Sequence, residues 1–335
     1  MKNKALTISN LTIHPGEKIA LALPIPELYT CAKVHIPIHV LHGKKQGPIL
    51  IVCSAMHGDE INGIAIIQKL LNLHLLKSLS GTLIAIPVLN IHGMMMNNRS
   101  LLDRRDLENS FPGSESGSFA ARLAHVLTTE VFSKATHCID LHSSEPQIER
   151  LSQVHAPFSN AESRKMAEAF AAPATIDTDS KRGLLWLAHK ENPLPTMIYD
   201  TGEPLRIDID GIREGVKGLV RTLRHLQMIP SVKPATQAEE SPVMQKTTWL
   251  RSSSSGLCRF YHPLGDVIKK GALIARVSDP FGTKNKEEIL APFSGMIIAK
   301  STLPIVNEGD SIVQVAEMEE IKEAAGKPLH PISFS

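Results

Sequence analysis

The sequence predicts an α/β domain whose sheet is covered by helices on both faces, followed by a small all-β module. Three observations carry this reading. Several short runs are apolar at every position, the mark of strands buried on both faces. Amphipathic helical segments alternate with those runs, as in α/β architecture. Beyond residue 245 the helical period disappears and short β-like runs separated by Gly and Pro turns replace it. A length of 335 residues fits two such units, at about 150 residues per domain.

The elements follow in order. Lys33 to Met56 is β-branched and apolar except for the turn Gly43-Lys-Lys-Gln-Gly-Pro48, so it reads as two strands joined by a tight loop. The second strand, Ile49 to Cys53, is apolar throughout. In Ile61 to Leu76, residues Ile61, Ile64, Ile67, Leu70 and Leu71 fall at helical spacing, and Thr82 to Leu89 reads as another buried strand. A helix over Phe119 to Phe132, a strand over His137 to Leu141, a helix over Ala161 to Phe170, a strand over Thr196 to Asp200 and a helix over Ile212 to Leu226 continue the alternation. Pro230 to Gln245, with three prolines and few large apolar residues, reads as a linker. Residues 246–318, with runs at Leu250, Leu273 to Val277, Met296 to Ala299 and Ser311 to Val315, form the β module, and 319–335 a tail. Residues 1–45 are expected to add β structure to a principal domain spanning 46–229.

Composition excludes several functions. Lys plus Arg total 36 against 34 Asp plus Glu, a net charge of +2, which supplies no field for gripping a nucleic-acid backbone. Cys31, Cys53, Cys138 and Cys258 stand far apart with no C-x-x-C pair, so neither a disulfide framework nor a thiolate zinc site is expected, and a reducing cytoplasm is the expected compartment. The longest apolar run, Pro48 to Met56, is too short to span a bilayer, and no membrane partner is expected.

The strongest chemical signal is Met56-His-Gly-Asp-Glu60, where a buried strand gives way to a helix. Ligands in open α/β sheets bind at the carboxyl ends of strands, and an imidazole and a carboxylate three positions apart can converge on one cation. His142, at the end of Cys138-Ile-Asp-Leu-His142, would complete three protein ligands and leave one position open. Asp140 shares a strand face with His142 and could orient it, or could equally accept backbone hydrogen bonds. Asp59 and Asn62 read as helix caps. His35, His39 and His42 lack a carboxylate on a second element and read as strand surface.

Met56-His-Gly-Asp-Glu-Ile-Asn-Gly63, Asn90, Arg99-Ser-Leu-Leu-Asp-Arg-Arg-Asp-Leu-Glu-Asn-Ser-Phe-Pro-Gly113, Ile139-Asp-Leu-His142 and Tyr199-Asp-Thr-Gly-Glu203 together resemble the succinylglutamate desuccinylase/aspartoacylase family, a branch of the zinc carboxypeptidase-like hydrolases. The resemblance runs in order from about residue 34 to Met228. It implies a three-layer α/β/α catalytic domain with a mixed sheet, and makes the C-terminal module similar to the β-barrel appended in longer members. It implies Zn2+ held by His57, Glu60 and His142, with Glu203 as general base and acid and Arg99 steadying the oxyanion. The implied activity is a zinc-dependent deacylase cleaving the amide of a small N-acyl amino acid or acylated amine. The rivals are a carboxypeptidase-like peptidase and a non-catalytic zinc- or ligand-binding member. A homo-oligomer is possible.

The chain also departs from the family pattern. Where members read Asp-Leu-Asn-Arg, it reads Asp106-Leu-Glu-Asn109, so the pair that clamps a substrate carboxylate is missing. A later basic position has become His155. Glu108 beside Asn109 suggests a pocket that prefers a neutral or cationic group, unless Arg104, Arg105 or Arg150 reaches in to replace the clamp. Gly265-Asp-Val-Ile-Lys-Lys-Gly271 and Ala291-Pro-Phe-Ser-Gly295 resemble turns of biotinyl- and lipoyl-type domains. Lys300, followed by Ser301, lacks the Met-Lys-Met context that carries a prosthetic group there, so none is expected.

Overall fold

The computed structural model describes residues 1–27, 33–231, 241–283 and 286–318. The expected tail at 319–335 and most of the expected linker lie outside them, as does Cys31. The chain forms two compact units, Met1–Gln245 and Lys246–Ser335.

The first unit contains β1 (Leu6–Ile8), β2 (Leu11–Ile13), β3 (Lys18–Pro24), β4 (His35–His42), β5 (Lys45–Ser54), α1 (Asn62–Leu71), β6 (Ser80–Ile86), α2 (Ile91–Met95) and α3 (Phe119–Glu130). It continues with β7 (His137–His142), β8 (Ile148–Ala156), α4 (Ala161–Phe170), β9 (Ala174–Asp177), β10 (Thr196–Gly202), α5 (Ile209–His225) and β11 (Val243–Met244). β1 and β2 pair as a hairpin, and the remaining strands form one mixed sheet in the order β3-β4-β6-β5-β7-β10-β8-β9-β11. At its centre β6, β5, β7 and β10 run parallel, so their carboxyl ends share one edge. β8 is antiparallel to β10.

The fully apolar strands are buried on both faces, as their composition requires. Ile51 and Cys53 of β5 enter one core with Leu123 and Leu127 of α3, whereas Leu50 and Val52 enter a second with Ile66 of α1, Phe170 of α4 and Leu219 of α5. Each such side chain contributes about 1.5–3 kcal/mol of burial. The result is a mixed α/β fold with helices on both faces of a large sheet.

Some boundaries differ from the sequence expectation. The helix predicted to Leu76 ends at Leu71 and is followed by a short 3-10 turn, His74–Ser78. Asn72 ends it by turning its Nδ2 back to the Gln68 carbonyl, at 3.0 Å. β3 supplies part of the β structure expected of residues 1–45, whereas β8 and β9 fall where the sequence shows no strand pattern, and the end of the expected linker is strand β11, held by pairing Val243 and Met244 with Thr175 and Ile176 of β9. His42, expected at the surface, is buried, with Nδ1 2.8 Å from Thr82 Oγ1 and Nε2 2.8 Å from the Lys4 carbonyl.

The second unit holds β12 (Thr247–Arg251), β13 (Gly256–Phe260), β14 (Val267–Ile268), β15 (Leu273–Ser278), β16 (Glu287–Leu290), β17 (Gly295–Ser301), β18 (Ile305–Val306) and β19 (Ser311–Glu317). Antiparallel pairing gives β12-β19-β17-β14 and β16-β15-β13-β18, two small sheets around one apolar core that includes Ile274, Val277, Ile297 and Val313. Lys300 lies within β17. No helix among the described residues is long and apolar enough to cross a membrane.

Candidate metal centre and active site

The site forms where the parallel strands end. After β5, Ala55 takes φ 47°, a left-handed conformation that breaks the strand and swings His57 to Glu60 across the sheet edge. A Cβ on Gly58 would lie 1.9 Å from the Gly93 carbonyl carbon, so glycine alone lets this loop sit on the start of α2. Asp59 and Asn62 do not cap α1. Its N-cap, Ile61, has no side-chain cap, and Asp59 Oδ1 is buried without a partner. Asn62 instead accepts from Asp208 N at 2.9 Å and donates to Ser143 Oγ at 3.2 Å, tying the loops after β10 and β7 to the first turn of α1.

His57, Glu60 and His142 are all buried, and one ligand atom from each lies within 4.8 Å of the others. His57 Nδ1 is 2.7 Å from Glu60 Oε1, and His142 Nδ1 is 3.0 Å from Glu60 Oε2. The outer nitrogens face carboxylates too: His142 Nε2 is 2.8 Å from Asp140 Oδ2 and His57 Nε2 is 3.1 Å from Asp106 Oδ1. With each Nε2–H donated outward, both Nδ1 lone pairs converge on the Glu60 oxygens, an arrangement that calls for positive charge between them. Glu60 Oε2, buried and without an aligned hydrogen-bond donor, marks the same need. Two imidazole nitrogens and one carboxylate suit a borderline-soft cation such as zinc.

The electrostatics agree. Burial opposes charge on His142, but Asp140 and Glu60 outweigh it and raise its pKa well above the usual value. His57 is likewise raised, burial being overcome by Glu60 and Asp106. Burial disfavours the Glu60 carboxylate, yet the two imidazoles hold its pKa at about 2. The cage stabilises positive charge at its centre.

Asn90 positions Arg99: its Oδ1 caps α2 through Gly93 N at 2.7 Å while its Nδ2 donates to the Arg99 carbonyl at 3.1 Å. The Arg99 guanidinium then lies 3.6 Å from Glu60 Oε1, 3.4 Å from Asp106 Oδ2 and 3.6 Å from Glu108 Oε2. Glu108 lines the cleft, with Oε2 2.9 Å from Arg182 Nε. Arg182 also reaches Asp106 Oδ2 at 3.3 Å. Sequence reasoning missed both Arg182 and the role of Asp106, because nothing local marks them. Asn109, Arg104 and Arg105 are exposed and do not line the cleft.

The opposite wall comes from β8 and β10. Arg150 Nε lies 3.2 Å from Asp200 Oδ2 and its Nη2 2.9 Å from Glu145 Oε2. A bulge in β8, where Asp200 faces Gln153 but Gly202 faces Arg150, brings Arg150 to the cleft beside His155. His155 is pushed down to about 3, by burial and then by the Arg150 charge, and so stays neutral. Asp200, in register with His142 on the adjacent parallel strand, also lines the cleft. Burial raises its pKa to about 6, against the pull of Arg150. Glu203 follows directly after β10, where its Oε1 accepts from Gln147 N at 3.1 Å and its Oε2 sits 3.0 Å from Arg206 Nε. Asp200 was missed as a site residue, although strand alternation could have found it, since Met197 and Tyr199 point into the core. The cleft measures about 180 Å³.

This ordered set of strand-end residues matches a known catalytic domain. The succinylglutamate desuccinylase/aspartoacylase catalytic domain aligns with residues 46–226, more than half of the chain. The chain belongs to the succinylglutamate desuccinylase/aspartoacylase family. A curated relative, N-alpha-acetyl-L-2,4-diaminobutyric acid deacetylase of Halomonas elongata, is 27% identical over 316 residues, covering 86% of this chain and 87% of the relative. Among solved structures, the ectoine utilization protein of Ruegeria pomeroyi, in a product-bound form, superposes with a TM-score of 0.78 at 22% identity over 95% of this chain and 100% of that one. The succinylglutamate desuccinylase/aspartoacylase of Rhodobacter sphaeroides gives 0.77 at 22% identity, covering 90% and 95%. At these identities the structural likenesses establish the shared fold of the family.

Proposed function

We propose that the protein is a zinc-dependent deacylase that hydrolyses the amide of a small N-acyl amino acid. The observation that carries this is the buried His57–Glu60–His142 cage, with both outer imidazole nitrogens held by Asp106 and Asp140, at the floor of a cleft walled by three arginines. Zinc bound there supplies Lewis acidity and lowers the pKa of water.

The chain's own groups do the rest. Asp200 takes up the proton of the attacking water and returns it to the leaving amine; a pKa raised to about 6 leaves it ionised at neutrality yet basic enough to accept. Glu203, the base expected from sequence, is engaged with Gln147 and Arg206 and in this reading holds its loop. Arg99 meets the charge that develops on the scissile oxygen. Glu108 enters the cleft as expected, but Arg182 and Arg99 offset its charge. The pocket is therefore mixed in sign rather than charge-inverted: the half-exposed Arg182 guanidinium donates to a substrate carboxylate, and Glu108 and Glu145 accept from an ammonium. The Halomonas relative's named substrate carries both groups, and we extend that class, an acylated diamino acid, to this protein. Free, buried Cys53, Cys138 and Cys258 support a reducing compartment such as the cytoplasm.

The test is amine release by the zinc-loaded protein from a panel of N-acyl amino acids, acylated diamino acids and their carboxamides, and short peptides. Acylated diamino acids with a free carboxylate should turn over fastest. Preference for peptides would support the peptidase reading instead, and no turnover of any amide would leave a binding protein.

A further inference from the structure

The cleft is not the largest hollow of the first unit. A cavity of about 730 Å³ lies at the opposite end of the sheet, where β5 and β6 begin. Its floor is apolar, from Leu41, Leu71, Leu73, Leu76 and Leu79. Its rim carries Lys18, Lys44, Lys45 and Lys77, and among the described residues none of these four has an acidic partner. The one acid of the lining, Glu17, is turned back to accept from His14 N at 2.6 Å.

The rim is also built rather than loose. Gly16 N donates to the His42 carbonyl at 2.7 Å, and Gly43 N to the Gly81 carbonyl at 2.8 Å. Gly16 has φ +96°, and a Cβ there would lie 2.9 Å from Lys44 Cε, so the glycine gives the lysine stem its bed. His42, bonded at both ring nitrogens, holds the floor.

Residue type distinguishes this cavity from the cleft. The permanent cations lining the cleft are all arginines, each paired with a carboxylate. The cavity's are all lysines, mobile point charges that meet phosphate oxygens from several directions. Four uncompensated charges around an apolar floor, in a volume typical of small-molecule sites, call for an anion with an apolar body.

We propose that this cavity is a second ligand site, for a small organic phosphate whose charges are met by Lys18, Lys44, Lys45 and Lys77 and whose body lies on the leucine floor. The site is separate from the amide chemistry and does not rest on it.

The experiment is calorimetric titration of the full chain with adenosine diphosphate, inorganic pyrophosphate and adenosine, at low and at physiological salt. The diphosphate should bind saturably, one per chain, and more tightly than pyrophosphate, which lacks the body, or adenosine, which lacks the charge. Lys44→Glu/Lys77→Glu should weaken it by about tenfold or more, whereas Lys165→Glu/Lys217→Glu, an equal change in net charge elsewhere, should not. Lys44→Gln and Lys77→Gln singly repeat the test should the double variant melt early. Equal losses in both double variants would reduce the site to a general basic surface. Retention in Lys44→Glu/Lys77→Glu with loss in Arg99→Ala/Arg182→Ala would move the ligand to the cleft. Binding of phosphatidylserine vesicles without binding of any soluble phosphate would make the rim a membrane contact, and no saturable binding at all would overturn the proposal.

Discussion

The two ends of the sheet handle charge in opposite ways. At the carboxyl ends of the strands, Arg99, Arg150 and Arg182 each rest against carboxylates, and each imidazole is held between two acids. At the other end, four lysines ring a hollow, and among the described residues none of them is paired with an acid. Paired charges in a buried cleft fix one another's positions, so removing one leaves its partner stranded. Unpaired charges at a solvated rim repel weakly and fix nothing. The first end is preorganised for chemistry, and the second is left open for something that brings the missing charge.

The largest effects that could break this contrast concern the metal cage. His57→Ala and His142→Ala should each lower turnover by three orders of magnitude or more, about 4 kcal/mol, with zinc falling from near one per chain by elemental analysis. Full occupancy in both variants would place the metal elsewhere.

Next comes the choice between two carboxylates. Asp200→Asn should lower kcat by about a hundredfold to ten-thousandfold, and Glu203→Gln by less than about tenfold. The reverse order would return the base to Glu203. With Asp200 near 6, activity should rise with pH through that value as the carboxyl ionises. Arg150 favours the ionised form, so Arg150→Gln should move this acid limb to higher pH. A limb that stays put would show that another group titrates.

A purely steric change should come third. Gly58→Ala forces a Cβ against the Gly93 backbone and should lower stability by about 1–3 kcal/mol in denaturant titration, with zinc loss alongside. At the lysine end the smallest effect is expected. Lys44→Ala and Lys77→Ala, both exposed, should leave kcat within about twofold and stability within about 0.5 kcal/mol. A large loss of either would mean that these charges are structurally engaged after all.

Much of the fold and the heart of the site were legible in the sequence, because both are written locally. Fully apolar runs such as Ile49 to Cys53, short and rich in β-branched residues, read as strands buried on both faces, and the His57-to-Glu60 spacing at a strand end reads as a metal site through the ordered motifs around it. His142 and Asp140 follow from alternation within one strand.

The tertiary structure decided what the sequence could not, and for one reason: those features are contacts between distant segments. Asp106 meets His57 across 49 positions and Arg182 meets Asp106 across 76, pairings that no local pattern encodes. β8 escaped prediction because Arg150, Gln153 and His155 interrupt its apolar period, and two of those three, Arg150 and His155, do so because they line the cleft. A single bulge then lets the Arg150 side chain reach Asp200, the pleat of β10 turns Asp200 to the cleft, and the chain after β10 brings Glu203 to Arg206. Side-chain chemistry is local and can be read along the chain, whereas the partner that tunes it is set by packing.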